Sequence, residues 1–311
     1  MPIVIRQVHP LFAAEIEGVD VSVPLDADTI RLIHDAFDRY AVVYFRRQSL
    51  TDAQQIEFAA QFGRPERYAL SYRDNHTLRL ERPEMVDISN LDAKTGEIQD
   101  RRARHRLLLL SSRLWHHDST YRMPVGALSM LHAHKIPPVG GETEFADMRA
   151  AYEGLPESMK ARIAGLVAEH SFVLSAQKLG FADFAPEEQK VLVKFLNPVV
   201  RTHGRTGRKA LYLGWHAIDI QGMPVPESRV LMADLLELST QREFVYRHEW
   251  QVGDLVVWDN RSVAHRGRDY DESYVRDMRR VTTEDEETEV QSPVRDWLAS
   301  QAAGGAAGVA G

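Results

Sequence analysis

The 311-residue chain contains no cysteine, which rules out disulfides and fits a protein of a reducing compartment such as the cytoplasm. No apolar run approaches the roughly 20 residues that a membrane-spanning helix needs. The opening Met1-Pro2-Ile3-Val4 lacks the basic region and apolar core of a secretory signal, so the expectation is a protein without a membrane partner. Excess positive charge is missing too. The 38 Lys and Arg stand against 45 Asp and Glu, for a net charge of -7, which argues against nucleic acid as a partner. The Arg-rich stretches 101–106 and 261–280 still admit a nucleic-acid patch as the competing reading. No Gly/Pro-rich linker divides the chain between Val19 and Thr283, and residues 1–290 therefore read as a single catalytic domain. Residues 291–311 end in Ala302-Ala303-Gly304-Gly305-Ala306-Ala307-Gly308. They offer little burial to offset the entropy of ordering, and are expected to be a flexible tail.

What the chain does have is a 44% hydrophobic fraction, enough for a substantial core. Asp28 to Tyr40 reads as an amphipathic helix capped by Asp26 or Asp28, and Thr51 as the cap of a helix over Gln54 to Phe62. Further helices are expected over Met148 to Tyr152, Pro156 to Leu166, Pro186 to Phe195 and Pro226 to Ser239. Strands are expected over Ala41 to Phe45, Gly126 to His134, Ala210 to Gly214, Phe244 to Glu249 and Asp254 to Trp258. The helices are irregularly spaced, so a strict βαβ repeat is absent. Periodicity alone gives a mixed α and β protein.

The segment Trp115-His116-His117-Asp118, answered downstream by Trp258-Asp259-Asn260-Arg261 and His265, carries the chemistry. His116, Asp118 and His265 supply two imidazoles and one carboxylate, the set that leaves open positions on a non-haem Fe(II) ion. At the end of a strand, residues i and i+2 share a side, which would bring His116 and Asp118 together and turn His117 away. A lone His-x-Asp reads equally well as an ordinary hydrogen-bonded histidine, and Asp259 reads as a carboxylate closing a turn with Asn260. Beyond His265 come Arg266, Arg268, Arg276, Arg279 and Arg280. Arginine's planar fork suits a carboxylate ligand; alternation puts Arg276 and Arg280 on the side opposite Arg279.

In combination these motifs, with Gly140-Gly141-Glu142-Thr143-Glu144-Phe145-Ala146-Asp147-Met148-Arg149 between them, resemble the Fe(II)/2-oxoglutarate-dependent dioxygenases of the taurine dioxygenase superfamily. Within it the chain looks most like the 2,4-dichlorophenoxyacetate and related aryloxyalkanoate dioxygenases, from Gly18-Val19-Asp20 to Thr282-Thr283. The resemblance implies a mainly β fold with flanking helices around a double-stranded β-helix, or jelly-roll, core. It implies His116, Asp118 and His265 as iron ligands, Thr143 and Arg276 as the grip on the distal carboxylate of 2-oxoglutarate, and Arg280 as the counter-charge of the substrate's acidic group. The implied reaction consumes 2-oxoglutarate and O2, releases succinate and CO2, and hydroxylates a small carboxylic acid. For an aryloxyalkanoate this cleaves the ether to a phenol and a 2-oxo acid. Sulfonates, sulfate esters and other small acids are the alternative substrates, and a non-catalytic small-acid binding module is the alternative of another class. The resemblance also implies a homo-oligomer.

The expected substrate contacts are Tyr121, Phe172, Trp215 and His216, aromatic residues that read as well as ordinary core. Asp92 to Arg113, rich in charge around Gly96 and immediately before the first histidine, reads either as a lid over bound substrate or as a solvated loop.

Overall fold

A computed structural model describes residues 2–67, 79–181, 184, 186, 194–285 and 294. Its largest sheet has seven strands in the order Val4–Gln7, Ala14–Glu17, Val42–Phe45, Leu255–Asp259, Gly126–Lys135, Asp277–Glu284 and Met85–Asp87. All neighbours are antiparallel except the pair Ala14–Glu17 and Val42–Phe45. A second sheet orders Val245–His248, Thr143–Asp147 and Val263–Gly267, again antiparallel.

The strand period of two builds the layers. Val43, Phe45, Leu128, Met130, Leu255 and Val257 point to one face of the large sheet, where they pack with Ile33, Phe37 and Phe58 of two helices. Val42, Tyr44, Leu131, Ala133, Val256 and Trp258 alternate with them and point to the other face. There they meet Phe145 and Val263 of the second sheet. Ala146 and Ala264, one residue on, turn outward against Leu231 and Leu235 of the helix Val225–Ser239. Strands from opposite ends of the chain thus form two facing sheets with helices outside, the jelly-roll core that the family resemblance implies.

The two N-terminal helices start where the caps placed them. Asp26 accepts from the Thr29 backbone N–H at 2.8 Å ahead of Ala27–Tyr40. Thr51 and Gln54 form a reciprocal capping box ahead of Asp52–Ala60, a device that stabilises by about 1 kcal/mol. Other boundaries differ. The expected strand over Ala210 to Gly214 is only Lys209–Leu211, because the chain must leave the ladder to reach Trp115. The expected helix ending at Phe195 falls mostly outside the described residues, and Phe195 itself opens the strand Phe195–Pro198. The expected tail over 291–311 also lies outside them, save Val294, which is buried. No helix among the described residues is long and apolar enough to cross a membrane.

Candidate metal centre and cosubstrate cavity

His265 sits on Val263–Gly267, and its backbone exchanges two hydrogen bonds with His116, His116 N–H to His265 O at 3.0 Å and the reverse at 2.8 Å. That isolated bridge replaces the strand end expected at His116. It is enough to put both imidazoles on one side, with ring centroids 4.2 Å apart. The alternation still holds: His117 turns away, its Nδ1 on the Asn260 carbonyl at 2.7 Å.

One ligand atom from each of His116, Asp118 and His265 lies within 4.8 Å of the others. His116 Nε2 is 3.8 Å from Asp118 Oδ1, and His265 Nε2 is 3.7 Å from Asp118 Oδ2. These gaps are too wide for hydrogen bonds. His116 Nδ1 is 2.7 Å from the Leu114 carbonyl; a carbonyl only accepts, so Nδ1 carries the proton and Nε2 keeps its lone pair for a metal. Burial holds both imidazoles well on the neutral side. Burial alone would raise the Asp118 carboxyl, but the Arg280 guanidinium and the two imidazoles outweigh it, and the group titrates below the usual carboxylate range. Two neutral imidazoles and one carboxylate converging without bonding one another fit a divalent cation.

Asp118 is positioned by residues whose part the sequence did not separate. Its Oδ2 accepts from Ser129 Oγ at 2.7 Å, its backbone N–H donates to Asn260 Oδ1 at 3.1 Å, and Arg280 Nη1 donates to Oδ1. Asn260 is fixed in turn by Trp258 Nε1 at 3.0 Å and by Ser129 at 2.9 Å. The Trp-Asp-Asn-Arg motif therefore serves the site through Asn260. Asp259 closes its turn onto the backbone of Arg261 rather than with Asn260. Gly214, with φ +147°, passes so near that a Cβ there would stand 2.8 Å from the Trp115 carbonyl oxygen and 3.2 Å from His116 Cα. Only glycine fits that approach.

Two cavities meet at the triad, and His116 and Arg280 line both. The smaller, about 90 Å³, is also lined by Thr143, Trp258, Tyr270 and Arg276. Arg276 is buried, donates from Nη2 to the Gly141 carbonyl at 3.4 Å, makes no ion pair with any described residue, and has an Nε without a partner among them. Burial lowers its pKa to about 10, still protonated at neutral pH. A desolvated cation with no counter-charge is costly, and a cavity offering one together with the Thr143 hydroxyl fits an anionic cosubstrate. Trp250 Nε1 donates to Thr143 Oγ1 at 3.1 Å, which leaves the hydroxyl proton for such a ligand.

The larger cavity, about 440 Å³, carries three of the four expected substrate contacts. His216 packs against Tyr121 and Phe172, with centroid distances of 4.7 and 5.7 Å, and its Nδ1 is 3.1 Å from Ser175 Oγ. Trp215 is not among the residues lining either cavity; its backbone N–H holds the Trp115 carbonyl at 2.8 Å. The segment Asp92 to Arg113, read either as a lid or as a solvated loop, ends in the helix Arg104–Leu109 and the 3-10 turn Leu110–Arg113, and contributes Leu109 and Ser112 to both cavities.

Residues 5–282 match the family model described as taurine catabolism dioxygenase TauD, TfdA family. The chain belongs to this dioxygenase family. It is 44% identical over 286 residues, 92% of this chain and 99% of the other, to an alpha-ketoglutarate-dependent 2,4-dichlorophenoxyacetate dioxygenase of Cupriavidus pinatubonensis. It is 36% identical over 86% of its length to the (S)-phenoxypropionate/alpha-ketoglutarate-dioxygenase of Sphingobium herbicidovorans, of which it covers 90%. Among solved structures, AAD-2 in complex with Mn(II) and N-oxalylglycine superposes with a TM-score of 0.84 at 43% identity, over 94% of this chain and 100% of that one. As a dioxygenase of this family the protein uses Fe(II), 2-oxoglutarate and O2, and the His-Asp-His cluster and the buried Arg276 are of the kind those ligands require.

Proposed function

We propose that the protein hydroxylates aryloxyalkanoic acids at the carbon beside the ether oxygen, giving a hemiacetal or hemiketal that collapses to a phenol and a 2-oxo acid. The observation that carries this reading is the juxtaposition of an aromatic wall, Tyr121, Phe172 and His216, with the Arg280 guanidinium, His116 and Asp118 in one 440 Å³ cavity. An aromatic ring needs such a wall and a carboxylate needs such a cation. Fe(II), 2-oxoglutarate and O2 together supply the oxidising power for C–H hydroxylation, with succinate and CO2 released.

The protein's own part is positional. His116, Asp118 and His265 would hold the iron, with Ser129 and Asn260 fixing the carboxylate's orientation. Thr143 and Arg276 would hold the distal carboxylate of 2-oxoglutarate. Arg280, on Asp118 and lining both cavities, would present its guanidinium to the substrate carboxylate. Its fork would set the distance between that carboxylate and the metal, and hence which carbon is presented. The aromatic wall would fix the ring and exclude water from the reacting carbon.

The test is succinate release by the Fe(II)-loaded protein across aryloxyacetates, both hands of aryloxypropionates, taurine and alkyl sulfates, with loss of each acid followed in parallel. Equal amounts of succinate and phenol from an aryloxyalkanoate are expected. Coupling to taurine or an alkyl sulfate alone would replace the substrate class while leaving the cosubstrate chemistry. We further infer one catalytic domain over residues 1–290, a cytoplasmic location, supported by the absence of cysteine, and a homo-oligomer, supported by the family resemblance and tested by light scattering.

A further inference from the structure

The cavity that holds Arg276 also holds a carboxylate, and electrostatics alone gives it no reason to be there. Glu272 lines the same 90 Å³ space as Arg276, Tyr270, Arg106 and Arg113. A dianionic ligand beside Arg276 would be repelled by it. Its bonds point elsewhere. Glu272 Oε2 accepts from Arg106 Nη2 at 2.6 Å, and Oε1 accepts from Arg113 Nη2 at 3.0 Å. Arg101 Nε stands 3.3 Å from it as well. Arg106 is only 6% exposed at its side chain and Glu272 17%, so this pair is shielded from solvent far better than a surface ion pair.

Both arginines sit on the segment Arg104 to Arg113, and Glu272 sits on the loop leading to Arg276. The roots of the two segments are tied as well. The Arg276 backbone N–H donates to Asn90 Oδ1 at 2.9 Å, the Asn90 N–H donates to the Arg276 carbonyl at 3.1 Å, and Asn90 Nδ2 donates to the Tyr274 carbonyl at 2.8 Å. Arg113 adds an ion pair to Asp269 at 2.9 Å. The 104–113 segment walls both cavities through Leu109 and Ser112.

We propose that Glu272 is a positioning residue that, through Arg106 and Arg113, latches the 104–113 segment onto the Arg276 loop and so closes the cosubstrate cavity, a role that rests on reading this cavity as the 2-oxoglutarate site. A latch and a mere lining carboxylate give opposite signs on removal of the charge. Glu272→Gln relieves repulsion of the dianion and would tighten binding if the carboxylate only lined the cavity. If it is a latch, the same change releases the roof and weakens binding.

The experiment is calorimetric titration of 2-oxoglutarate into the full-length, Mn(II)-loaded protein, with amide hydrogen exchange followed over residues 104–113. For Glu272→Gln the expected results are a Kd raised roughly tenfold, faster exchange across 104–113, and loss of the protection that the ligand gives there. Arg113→Gln keeps the buried Arg106–Glu272 pair and is expected to raise Kd roughly threefold; it carries the test should Glu272→Gln not fold. Unchanged or tighter binding, or exchange in 104–113 that stays as slow as in the parent, overturns the latch. Arg276→Gln in the same titration separates the two levels. If it loses affinity while the latch variants do not, only the latch fails; if it binds as the parent does, the cavity reading fails and the latch with it.

Discussion

Two of the buried histidine–aspartate clusters among the described residues, both next to the Asp259-Asn260 turn, are built on opposite principles. In the first, Asp259 is saturated: Oδ1 accepts from the Arg261 backbone N–H at 2.8 Å and Nε at 2.9 Å, while Oδ2 takes His203 Nε2 at 2.8 Å and Arg261 Nη2 at 3.1 Å. Burial would raise this carboxyl, but Arg261 and His203 hold it far below the usual range. In the second, Asp118 accepts from Ser129 and Arg280, but His116 and His265 approach it only to 3.8 and 3.7 Å without hydrogen bonding it, and the three line the two cavities between them. A buried network whose members bond one another specifies the fold, whereas imidazole lone pairs that converge beside a carboxylate without a protein donor are the mark of a ligand site. The pair of residue types is the same in both; the hydrogen-bond accounting separates them.

Breaking each cluster tests that distinction. His265→Ala is expected to cut coupled turnover by at least about a thousandfold while thermal stability changes little, checked by succinate assay alongside calorimetric unfolding. Asp259→Asn should do the reverse. It leaves buried Arg261 and His203 poorly paired, at a cost of about 3–5 kcal/mol of stability, with a folded fraction that still turns over. A variant of Asp259 that unfolds no earlier than the parent would contradict the assignment.

Arg276→Ala sharpens the comparison on the cosubstrate side. Its buried guanidinium pairs with no carboxylate among the described residues, so its removal is expected to raise the KM for 2-oxoglutarate by roughly a hundredfold with a smaller change in kcat. An unchanged concentration dependence would place the anchor elsewhere.

The pH dependence follows from histidines behind the site. Burial lowers His117 to about 4 and His170 to about 3, below the unfolded value of about 6.5. Below pH 6.5 the unfolded chain therefore binds more protons than the native one, and stability falls as pH falls towards those folded values. At pH 5 each group accounts for up to about 2 kcal/mol of lost stability relative to pH 7.5. Urea midpoints should drop over that interval, and His170→Phe should flatten the drop; a midpoint independent of pH would exclude this origin. The smallest effect is expected from Trp250→Phe. It removes the 3.1 Å donor to Thr143 Oγ1 and should raise the 2-oxoglutarate KM about twofold to fivefold through a less constrained hydroxyl.

Much of this arrangement was legible in the residues themselves. The period-two runs at Gly126 to His134 and Asp254 to Trp258 gave strands whose two faces pack as alternation requires. Residue type marks Thr51 as one cap and leaves Asp26 and Asp28 as candidates for the other, of which the structure uses Asp26. The triad came from chemistry and spacing, and the jelly-roll from resemblance. Local pattern could not show that a single bridge to His265, rather than a strand, fixes His116. Nor could it show that Arg280 pairs with Asp118, or that Asn90 holds the backbone of Arg276, because each joins segments more than 160 residues apart. Residue type does not distinguish Trp215 from its neighbour His216 as a substrate contact, yet of the two only His216 lines the larger cavity. One residue along the chain reverses the facing of a side chain, and composition does not record that.

The cluster His116, Asp118 and His265, and not the mutually bonded His203–Asp259 pair, would be the iron centre. Fe(II) stoichiometry of the folded parent, His265→Ala and His203→Phe, measured under anaerobic conditions, tests it most directly. The account requires one ion per chain in the parent and in His203→Phe, and none in His265→Ala. Full iron occupancy in His265→Ala, or its loss in a folded His203→Phe alone, would contradict it.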